Sequence, residues 1–408
     1  MTPTIRGWCP TLYEPMTTGD GLLARIKPPC GRLSADAARA LAAAATQYGS
    51  GRLELTNRGA LQVRGLSQHS LADFCDAAQA VGLASADPAA ERRRNVMLTP
   101  LAGSRHLALA AELEGWLEQA EELSGLPPKF AFAVDDTQAG FEPLSADIRL
   151  AAEAGSWRVW LDGADVTALT DKPAQAAESL AKGFLGAASQ IETSTRRMRD
   201  LIALAGGEAV LADAGLTVAG AAPVAGKRSR SVVGWLGQPI QSVGLGLAFG
   251  ALDSNGLTAA ASLAERYADG WLRTSPWRAL MLAGVAKSAT PQLAAAAVEA
   301  GFIIEPDDPR LAVSACVGRP GCASAFAATR ADAEILAAER ASWLQDGVHL
   351  SGCPKGCAHP ASAAVTLMGG PDGYDLVRHG RASDPPERRG LSLMQAVRLL
   401  NEECPRTL

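Results

Sequence analysis

The segment SGCPKGCAHP, residues 351–360, places Cys353 and Cys357 four positions apart, with a proline, a lysine and a glycine between them. A second pair upstream, Cys316 and Cys322, encloses the sequence Val-Gly-Arg-Pro-Gly. Thiols clustered in this way favour metal or redox chemistry over disulfides in a reducing compartment. Glycines in both segments let backbone N–H groups approach a sulfur closely, and the prolines fix the loops.

Two kinds of metal centre fit four thiolates. Structural zinc sites usually use pairs of ligands two to four residues apart, and the five residues between Cys316 and Cys322 make a wide pair. A [4Fe–4S] cubane is larger and takes one thiolate per iron, so the wide and unequal spacings favour it. Unrelated free thiols are the third possibility. The remaining cysteines, Cys9, Cys30, Cys75 and Cys404, are scattered and are expected to be free and mostly buried.

The composition indicates a globular protein with a large core. The chain has 408 residues, of which 48% are apolar, and this length suggests two or three domains. A net charge of −5 disfavours nucleic acid as a partner. The first ten residues lack the pattern of a signal peptide, and the longest apolar run, residues 279–286, is too short to cross a bilayer. We therefore expect a cytoplasmic protein with no membrane partner.

The order of predicted elements occurs twice. Residues 22–26 predict a strand, Ser34 is a suitable N-cap for an alanine-rich helix to about Tyr48, and residues 53–55 and 60–63 predict two more strands. The second series comprises a strand at 244–249, a helix at 257–267, and strands at 271–273 and 279–282. Gly244-x-Gly246 lies within a predicted strand and lacks the third glycine of a dinucleotide loop, so it predicts no nucleotide site.

A shift of 219 positions aligns the two series, with five identities in sixteen positions from residue 51 onwards. The repeat predicts an α+β protein with internal pseudo-symmetry. We assign residues 1–215 to a first half and 227–408 to a second half, with the Ala- and Gly-rich residues 203–226 as a linker region. Active sites of duplicated folds often lie where both halves can supply groups.

The pattern Cys-x5-Cys…Cys-x3-Cys in the second half of a duplicated α+β chain resembles that of the sulfite/nitrite reductase superfamily, whose members hold sirohaem and a [4Fe–4S] cluster. The resemblance implies two reductase-like halves with ferredoxin-like and mixed-sheet subdomains. It also implies that Cys316, Cys322, Cys353 and Cys357 are the cluster ligands. In members with sirohaem, the last of these, Cys357 here, would bridge the cluster to the sirohaem iron.

Basic segments of the first half are also similar to that superfamily. They are Thr56-Asn-Arg-Gly-Ala-Leu-Gln62, Arg94-Asn-Val96 and Leu126-Pro-Pro-Lys-Phe-Ala-Phe132. The resemblance implies that Arg58, Gln62, Arg94 and Lys129 line a tetrapyrrole and substrate pocket. A macrocycle with many carboxylates needs fixed cations, and arginine can contact a carboxylate through two bonds. Arg92 and Arg93 are interpreted as solvated neighbours.

One departure separates this chain from the reductases. Where they carry a second lysine two places after the first, this chain has Ala131, which weakens the cationic cage that holds sulfite or nitrite. Four further segments instead resemble the precorrin-3B synthase branch of the superfamily: residues 6–10, 130–136, 349–360 and 373–380. That resemblance implies an O₂-dependent monooxygenase of cobalamin biosynthesis, with precorrin-3A as substrate. A sirohaem-dependent sulfite or nitrite reductase and a non-enzymatic metal scaffold are the alternatives.

The implied reaction hydroxylates C20 of precorrin-3A and forms a γ-lactone. A cluster held by four cysteines is suited to passing single electrons from an external donor protein. The branch resembled also implies a mononuclear non-haem iron, whose usual ligands are two histidines and a carboxylate. Of five histidines in the chain, His349 and His359 flank the thiolate pair and are the first to test. Trp8 could stack on a flat macrocycle.

Overall fold

The computed structural model describes residues 9–191, 195–222, 231–237 and 241–403. Trp8 and Cys404 lie outside the described residues. Within them, the strands are β1 (Met16–Thr18), β2 (Gly21–Ile26), β3 (Arg32–Ser34), β4 (Arg52–Leu55), β5 (Leu61–Leu66), β6 (Val96–Leu98), β7 (Phe132–Asp135), β8 (Ile148–Glu153), β9 (Ser156–Leu161), β10 (Val166–Thr170), β11 (Val218–Ala221), β12 (Gly234–Trp235), β13 (Ser242–Gly246), β14 (Ala251–Asp253), β15 (Trp271–Thr274), β16 (Ala279–Ala283), β17 (Val313–Ala315), β18 (Val348–Ser351), β19 (Ala363–Gly370), β20 (Gly373–Gly380) and β21 (Arg388–Leu391). The α-helices there are α1 (Ala35–Tyr48), α2 (Leu71–Ala80), α3 (Pro88–Arg93), α4 (Ser104–Gln119), α5 (Pro173–Gln190), α6 (Met198–Ala205), α7 (Gly207–Asp213), α8 (Ser254–Tyr267), α9 (Thr290–Glu299), α10 (Thr329–Ala338) and α11 (Leu393–Glu403).

Two antiparallel sheets form the centre of the molecule. The first antiparallel sheet has the order β1-β2-β5-β4-β14, and the second has the order β12-β13-β16-β15-β3. Helix α1 begins as predicted, because the Ser34 side chain accepts a hydrogen bond from the Ala37 N–H at 3.1 Å. The small alanine side chains of α1 let it lie close to α8, and both helices contribute to one core with the leucines of the two sheets.

The internal repeat predicted by the shift of 219 is confirmed by the secondary structure. The shift converts the limits of α1, α2 and β4 into those of α8, α9 and β15. Strand register follows the same shift, since Ile26 pairs with Leu61 and Leu245 pairs with Leu280. The repeat therefore extends well beyond the sixteen aligned positions.

The two halves also exchange a short strand. Strand β3 of the first half pairs with β15, and its counterpart β14 of the second half pairs with β4. Each antiparallel sheet is therefore completed by the other half. The sequence repeat alone did not predict this exchange, because it depends on pairing between residues at least 197 positions apart.

A mixed sheet follows each antiparallel sheet in the chain. The first mixed sheet has the order β11-β10-β9-β8-β7-β6, and the second has the order β17-β18-β19-β20-β21. In each, three neighbouring strands are parallel, β6-β7-β8 and β17-β18-β19, and the rest are antiparallel. This arrangement confirms the predicted α+β class with two similar halves of antiparallel and mixed-sheet parts.

The seam between the halves is more ordered than a linker over its described part. Residues 203–222 contain the end of α6, all of α7, and β11, which forms the edge of the first mixed sheet. The division of the chain near these residues stays a proposal. No helix in the described part of the chain is long and apolar enough to span a membrane.

Candidate functional site

Both cysteine segments begin where parallel strands of the second mixed sheet end. Strands β17 and β18 pair in parallel, with Val313 opposite Val348 and Ala315 opposite Leu350. Cys316 directly follows β17, and Cys353 is the second residue after β18. Because the carboxyl ends of parallel strands meet at one edge of a sheet, the topology brings the two segments together.

Backbone and hydroxyl groups surround the sulfur of Cys316. The Gly352 N–H donates to Cys316 Sγ at 3.2 Å, and the hydroxyl of Thr329 lies 3.5 Å from the same sulfur. Within the Cys316–Cys322 loop, Gly318 has a φ of 63°, and a Cβ there would lie 2.4 Å from the Thr329 hydroxyl oxygen. The loop therefore requires glycine at 318, and it presents donors to sulfur as an anionic cluster needs.

The four thiols are close enough to affect one another's charge. Burial, followed by the charges of Cys353, Cys316 and Cys322, raises the pKa of Cys357 to about 11. Burial likewise raises the pKa of Cys353, and Cys322 and Cys316 add to the shift. Cys353 and Cys357 therefore stay protonated at neutral pH although Lys355 opposes the shift, and bound iron would be what makes them thiolates.

The arrangement of the thiols differs from that of a single-ion site. Among the described residues, no group of three or more His, Cys, Asp or Glu is placed to hold one metal ion. A zinc site needs its sulfurs on one ion at about 2.3 Å, whereas a cubane takes one thiolate at each iron. Four neighbouring thiols that do not converge on a point fit the larger group, and their role as its ligands stays a prediction.

One face of the first antiparallel sheet is polar. Arg25, Gln62 and Glu54 lie side by side on β2, β5 and β4. In the amide orientation that satisfies both neighbours, Gln62 accepts from Arg25 at 2.8 Å and donates to Glu54 at 3.1 Å. The opposite face carries Ala24, Ile26 and the leucines of the core. This alternation follows from the period of two in a strand.

The polar face contacts the Cys316–Cys322 loop directly. Arg64, two residues beyond Gln62 on β5, donates to the carbonyl of Gly321 at 2.7 Å and pairs with Asp20 at 2.9 Å. Arg330, next to the Thr329 that contacts the Cys316 sulfur, pairs with Glu54 at 2.6 Å. Charged bonds between the halves thus fix the thiol loop against the sheet.

At the other end of this face lies a cavity with only positive charges, which we call the cation cavity. Its empty volume, including the open mouth, is about 810 Å³. Its lining cations are Arg25, Lys27, Arg58 and Arg92, and no Asp or Glu belongs to the described lining. Backbone and side chains of residues 9–11, 95–98, 274 and 276 complete the walls.

Comparison of the two halves shows that the cations of the first antiparallel sheet have no charged counterparts in the second. Under the shift of 219, the positions of Arg25, Lys27 and Gln62 are occupied in the second half by Gly244, Gly246 and Met281. The same backbone framework therefore carries cations in one copy and small or apolar residues in the other. The charges of the cation cavity are not a requirement of the fold, which makes a ligand the better explanation for them.

Two cations of the cavity lack the partners that buried guanidinium groups normally have. Within the described residues, neither Arg25 nor Arg58 pairs with a carboxylate, and Arg25 Nε is buried without a hydrogen-bond partner. Arg58 donates to the carbonyl of Lys129 at 3.0 Å. Burial, and then the nearby Arg197, lower the pKa of Arg58. An anion between these two groups would satisfy both.

The other predicted pocket residues, Gln62, Arg94 and Lys129, do not belong to the described lining of this cavity. Gln62 holds Arg25, as described above, and Lys129 is exposed, with its backbone bonded to Arg58. Arg94 is 2% exposed and pairs with Glu91 at 2.9 Å. The contact of Arg94 and Lys129 with a macrocycle stays a prediction.

The interpretation as a solvated neighbour was wrong for Arg93, whereas Arg92 is exposed as expected. Arg93 is 6% exposed and donates to the carbonyls of Leu117 and Glu118 at the end of α4. Arg92 pairs with Glu14 and lines the cation cavity. Three consecutive arginines around the end of α3 thus have three different surroundings, and the sequence did not separate them.

Arg25 and Lys27 were missed by the sequence analysis. The alternation of β2, in which Ala24 and Ile26 are fully buried, could have indicated them, because it turns Arg25 and Lys27 to the opposite face. Lys27 donates to the backbone carbonyl of Glu91, and its ammonium lies 3.9 Å from the Glu91 carboxylate.

We expect binding of an acidic macrocycle to weaken as the pH rises through about 8. Burial lowers the pKa of Lys27 to about 8, while Glu91 opposes the shift and Arg94 and Arg25 add to it. Lys27 is therefore charged below that pH and neutral above it, and its attraction for a carboxylate is lost on the alkaline side. Fluorescence titration of uroporphyrin between pH 6 and 9.5 measures this, and Lys27→Met should remove the alkaline loss.

Arg94 is expected to be important for stability. Arg94 pairs with the fully buried Glu91 of α3 and, at 3.6 Å, with Glu114 of α4. These ion pairs join the two helices. Arg94→Met would remove the nearest cation from the buried Glu91, leaving it the Lys27 ammonium at 3.9 Å, and should lower the free energy of unfolding by about 3–5 kcal/mol. Urea unfolding measures the change. Unchanged stability with weakened macrocycle binding would instead assign Arg94 to the ligand.

His349 and His359 lie together beneath the Cys353–Cys357 loop. Their ring centroids are 5.8 Å apart, and His349 is fully buried with neither ring nitrogen hydrogen-bonded. Burial, followed by His359 and Arg278, lowers the pKa of His349 to about 4, so the ring is neutral. No carboxylate joins this pair in a metal-binding group among the described residues. The described residues therefore do not form the two-histidine, one-carboxylate ligand set that the resemblance implies for a mononuclear iron.

The comparisons with known proteins agree with this architecture. The pattern of the nitrite/sulfite reductase ferredoxin-like half domain matches residues 14–81 and 238–300. A precorrin-3B synthase of Sinorhizobium is 34% identical over 399 residues, which cover 93% of this chain and 84% of that protein. A ferredoxin–nitrite reductase of Synechococcus elongatus is 27% identical over 403 residues, which cover 89% of this chain and 78% of that protein. The solved structure of the NirA protein of Mycobacterium tuberculosis has the same fold, with a TM-score of 0.71 at 19% identity, covering 90% of this chain and 76% of that one.

Proposed function

This chain belongs to the precorrin-3B synthase family of the nitrite/sulfite reductases, and on that premise we propose that it hydroxylates precorrin-3A at C20 with O₂ and forms the γ-lactone. Membership of the family makes the chain an oxidoreductase related to enzymes of cobalamin biosynthesis. The substrate, the position of oxygen insertion and the lactone are the proposed part.

The observation that carries this proposal is the cation cavity. Arg25 and Arg58 are guanidinium groups without carboxylate partners in the described structure, and Lys27 and Arg92, whose partners Glu91 and Glu14 lie outside the lining, also face the cavity. Precorrin-3A is a flat macrocycle whose edge carries many carboxylates. Its carboxylates would complete the bonding of the two arginines, and it would lie between this cavity and the thiol loop that Arg64 holds against the same sheet face.

The described residues also suit an iron–sulfur cluster. Cys316, Cys322, Cys353 and Cys357 would hold a [4Fe–4S] cluster, which supplies single electrons received from an external donor protein. The Gly352 N–H would stabilise the sulfur of Cys316. Lys355, half-buried between the two thiols of its loop, would offset part of the negative charge of the thiolates.

The overall reaction balances with an external reductant. One atom of O₂ enters the substrate, and two electrons and two protons convert the other atom to water. The chain's own contribution is to bind the macrocycle by its carboxylates, hold its orientation and bring it near the electron-carrying thiol loop. No step is assigned to a mononuclear iron, because the described residues do not form its usual ligand set.

A sirohaem-dependent reductase is the alternative, and Ala131, two positions after Lys129, argues against it. Ala131 is fully buried, so this chain places no second cation there for a small anion. The absorption spectrum of anaerobically purified protein separates the two activities. We expect the broad absorption of an iron–sulfur cluster. Intense Soret and red bands of a bound sirohaem, with sulfite- or nitrite-reducing turnover, would replace the proposal by the alternative.

A further inference from the structure

A second cavity occupies the counterpart position of the cation cavity in the other half. We infer that it binds a flat aromatic ligand of tetrapyrrole size that carries few charges, through apolar contacts rather than ion pairs. Its empty volume, including the open mouth, is about 870 Å³. The inference rests on the proposed function only in assigning the acidic macrocycle to the cation cavity. We call this site the second cavity.

The shift of 219 relates the walls of the two cavities. It converts Pro28, Arg58 and Gly59 of the cation cavity into Leu247, Trp277 and Arg278, and all three line the second cavity. The mixed sheets agree, since Val96 begins β6 beside the first cavity and Val313 begins β17 beside the second. The two cavities are therefore one feature of the repeated fold, present twice.

Their chemistry differs because a segment of the second half fills the space of two lost cations. A Cβ on Gly244, the counterpart of Arg25, would lie 1.9 Å from the carbonyl oxygen of Val232. A Cβ on Gly246, the counterpart of Lys27, would lie 2.9 Å from a methyl group of Val233. Both valines line the second cavity. The two glycines are thus explained by close backbone packing.

Of the two cations in the described lining of the second cavity, Arg310 has a carboxylate partner, whereas Arg278, like Arg58 of the cation cavity, bonds only to neutral groups among the described residues. Arg310 makes two bonds to Asp308, at 2.9 and 2.6 Å. Arg278 donates to the Ser314 hydroxyl at 3.2 Å and to the Ala358 carbonyl at 2.8 Å. Glu142 adds a negative charge to the described lining. This cavity therefore attracts a ligand with many carboxylates less than the cation cavity does, since the described lining of the latter has four cations and no carboxylate.

Aromatic and branched side chains provide the remaining surface. Phe249 and Trp277 line the cavity together with Leu247, Leu311, Val232 and Val313. Aromatic rings and aliphatic walls stabilise a planar ligand by stacking and by removal of apolar surface from water. An open cavity with apolar walls and nearly balanced charge fits a planar ligand with one or two acidic groups.

The test compares two porphyrins on the intact cluster-containing protein. Uroporphyrin, with eight carboxylates, should bind one equivalent, and Arg58→Ala should weaken that binding. Mesoporphyrin, with two carboxylates, should show an additional equivalent that persists in Arg58→Ala. Val232→Trp, which fills the second cavity from a half-buried position, should weaken the additional equivalent at least about tenfold and leave uroporphyrin binding unchanged.

Leu311→Glu is the second variant, and it tests mesoporphyrin binding in the second cavity if Val232→Trp does not fold. Its carboxylate would enter the lining from a half-buried position and repel the acidic groups of mesoporphyrin. Mesoporphyrin binding of a single equivalent, or an additional equivalent unaffected by either variant, would overturn the inference. Failure of uroporphyrin to bind the unmodified protein would instead contradict the proposed function and leave the second cavity to be judged by mesoporphyrin alone.

Discussion

Replacing Cys353 or Cys357 by serine is expected to abolish the iron–sulfur cluster and turnover together. The two thiols lie on one short loop after β18, and burial together with the nearby Cys316 and Cys322 raises the pKa of each. A serine hydroxyl is a poor ligand for iron, and an incomplete ligand set leaves the cluster open to loss. Iron and sulfide content, visible absorption and product formation measure the effect.

Cys75→Ser is the matched control for this experiment. Cys75 is buried in the core, where its thiol donates to the carbonyl of Leu12, a bond that serine can keep. This variant should retain iron, sulfide and activity. If Cys353→Ser lost its iron and sulfide yet turned over at an unchanged rate, electron transfer through these thiols would be wrong.

Removing the two unpaired guanidinium groups is expected to have the next largest effect. Arg25→Ala and Arg58→Ala should each raise the Kd for the tetrapyrrole by roughly one to two orders of magnitude, because each loses a charge-assisted contact of about 1.5–3 kcal/mol. The double variant should approach the sum of both losses if the groups act on different carboxylates. Fluorescence titration with uroporphyrin gives the dissociation constants.

Two further variants separate the role of position from that of charge. Arg25→Lys keeps the charge without the planar fork and should bind with intermediate affinity. Arg39→Ala removes an arginine that pairs with Glu265 at the surface and should leave binding unchanged. Equal weakening by Arg39→Ala and Arg25→Ala would mean that total charge, and not the cation cavity, attracts the ligand.

The sequence predicted those features that depend on neighbouring residues. The N-cap at Ser34 and the glycines of the cysteine loops act within a few positions, and the structure has them as expected. The repeat was detectable because both copies keep the same spacing of strands and helices. The cysteine spacing indicated a grouping of the four thiols, but the adjacent parallel strands that bring their loops together are seen only in the structure.

Features that depend on distant residues were not predicted. The exchange of β3 and β14 joins strands from different halves, and no local pattern encodes it. Arg94 is drawn into the interior by Glu91 and by Glu114 of another helix, so its position follows from charge pairing in the folded state. Lys27 could have been recognised from the alternation of β2, but only after the buried face of that strand was known.

Oxygen-dependent conversion of precorrin-3A tests the account most directly. Protein with its cluster intact would be incubated with precorrin-3A, a reductant and isotopically labelled O₂, and the product would be analysed by mass spectrometry. The account predicts a product carrying one labelled oxygen atom and the lactone, formed by the unmodified protein and not by the Arg25, Arg58 double variant. Unchanged precorrin-3A, or an oxygenated product whose oxygen comes from water, would contradict it.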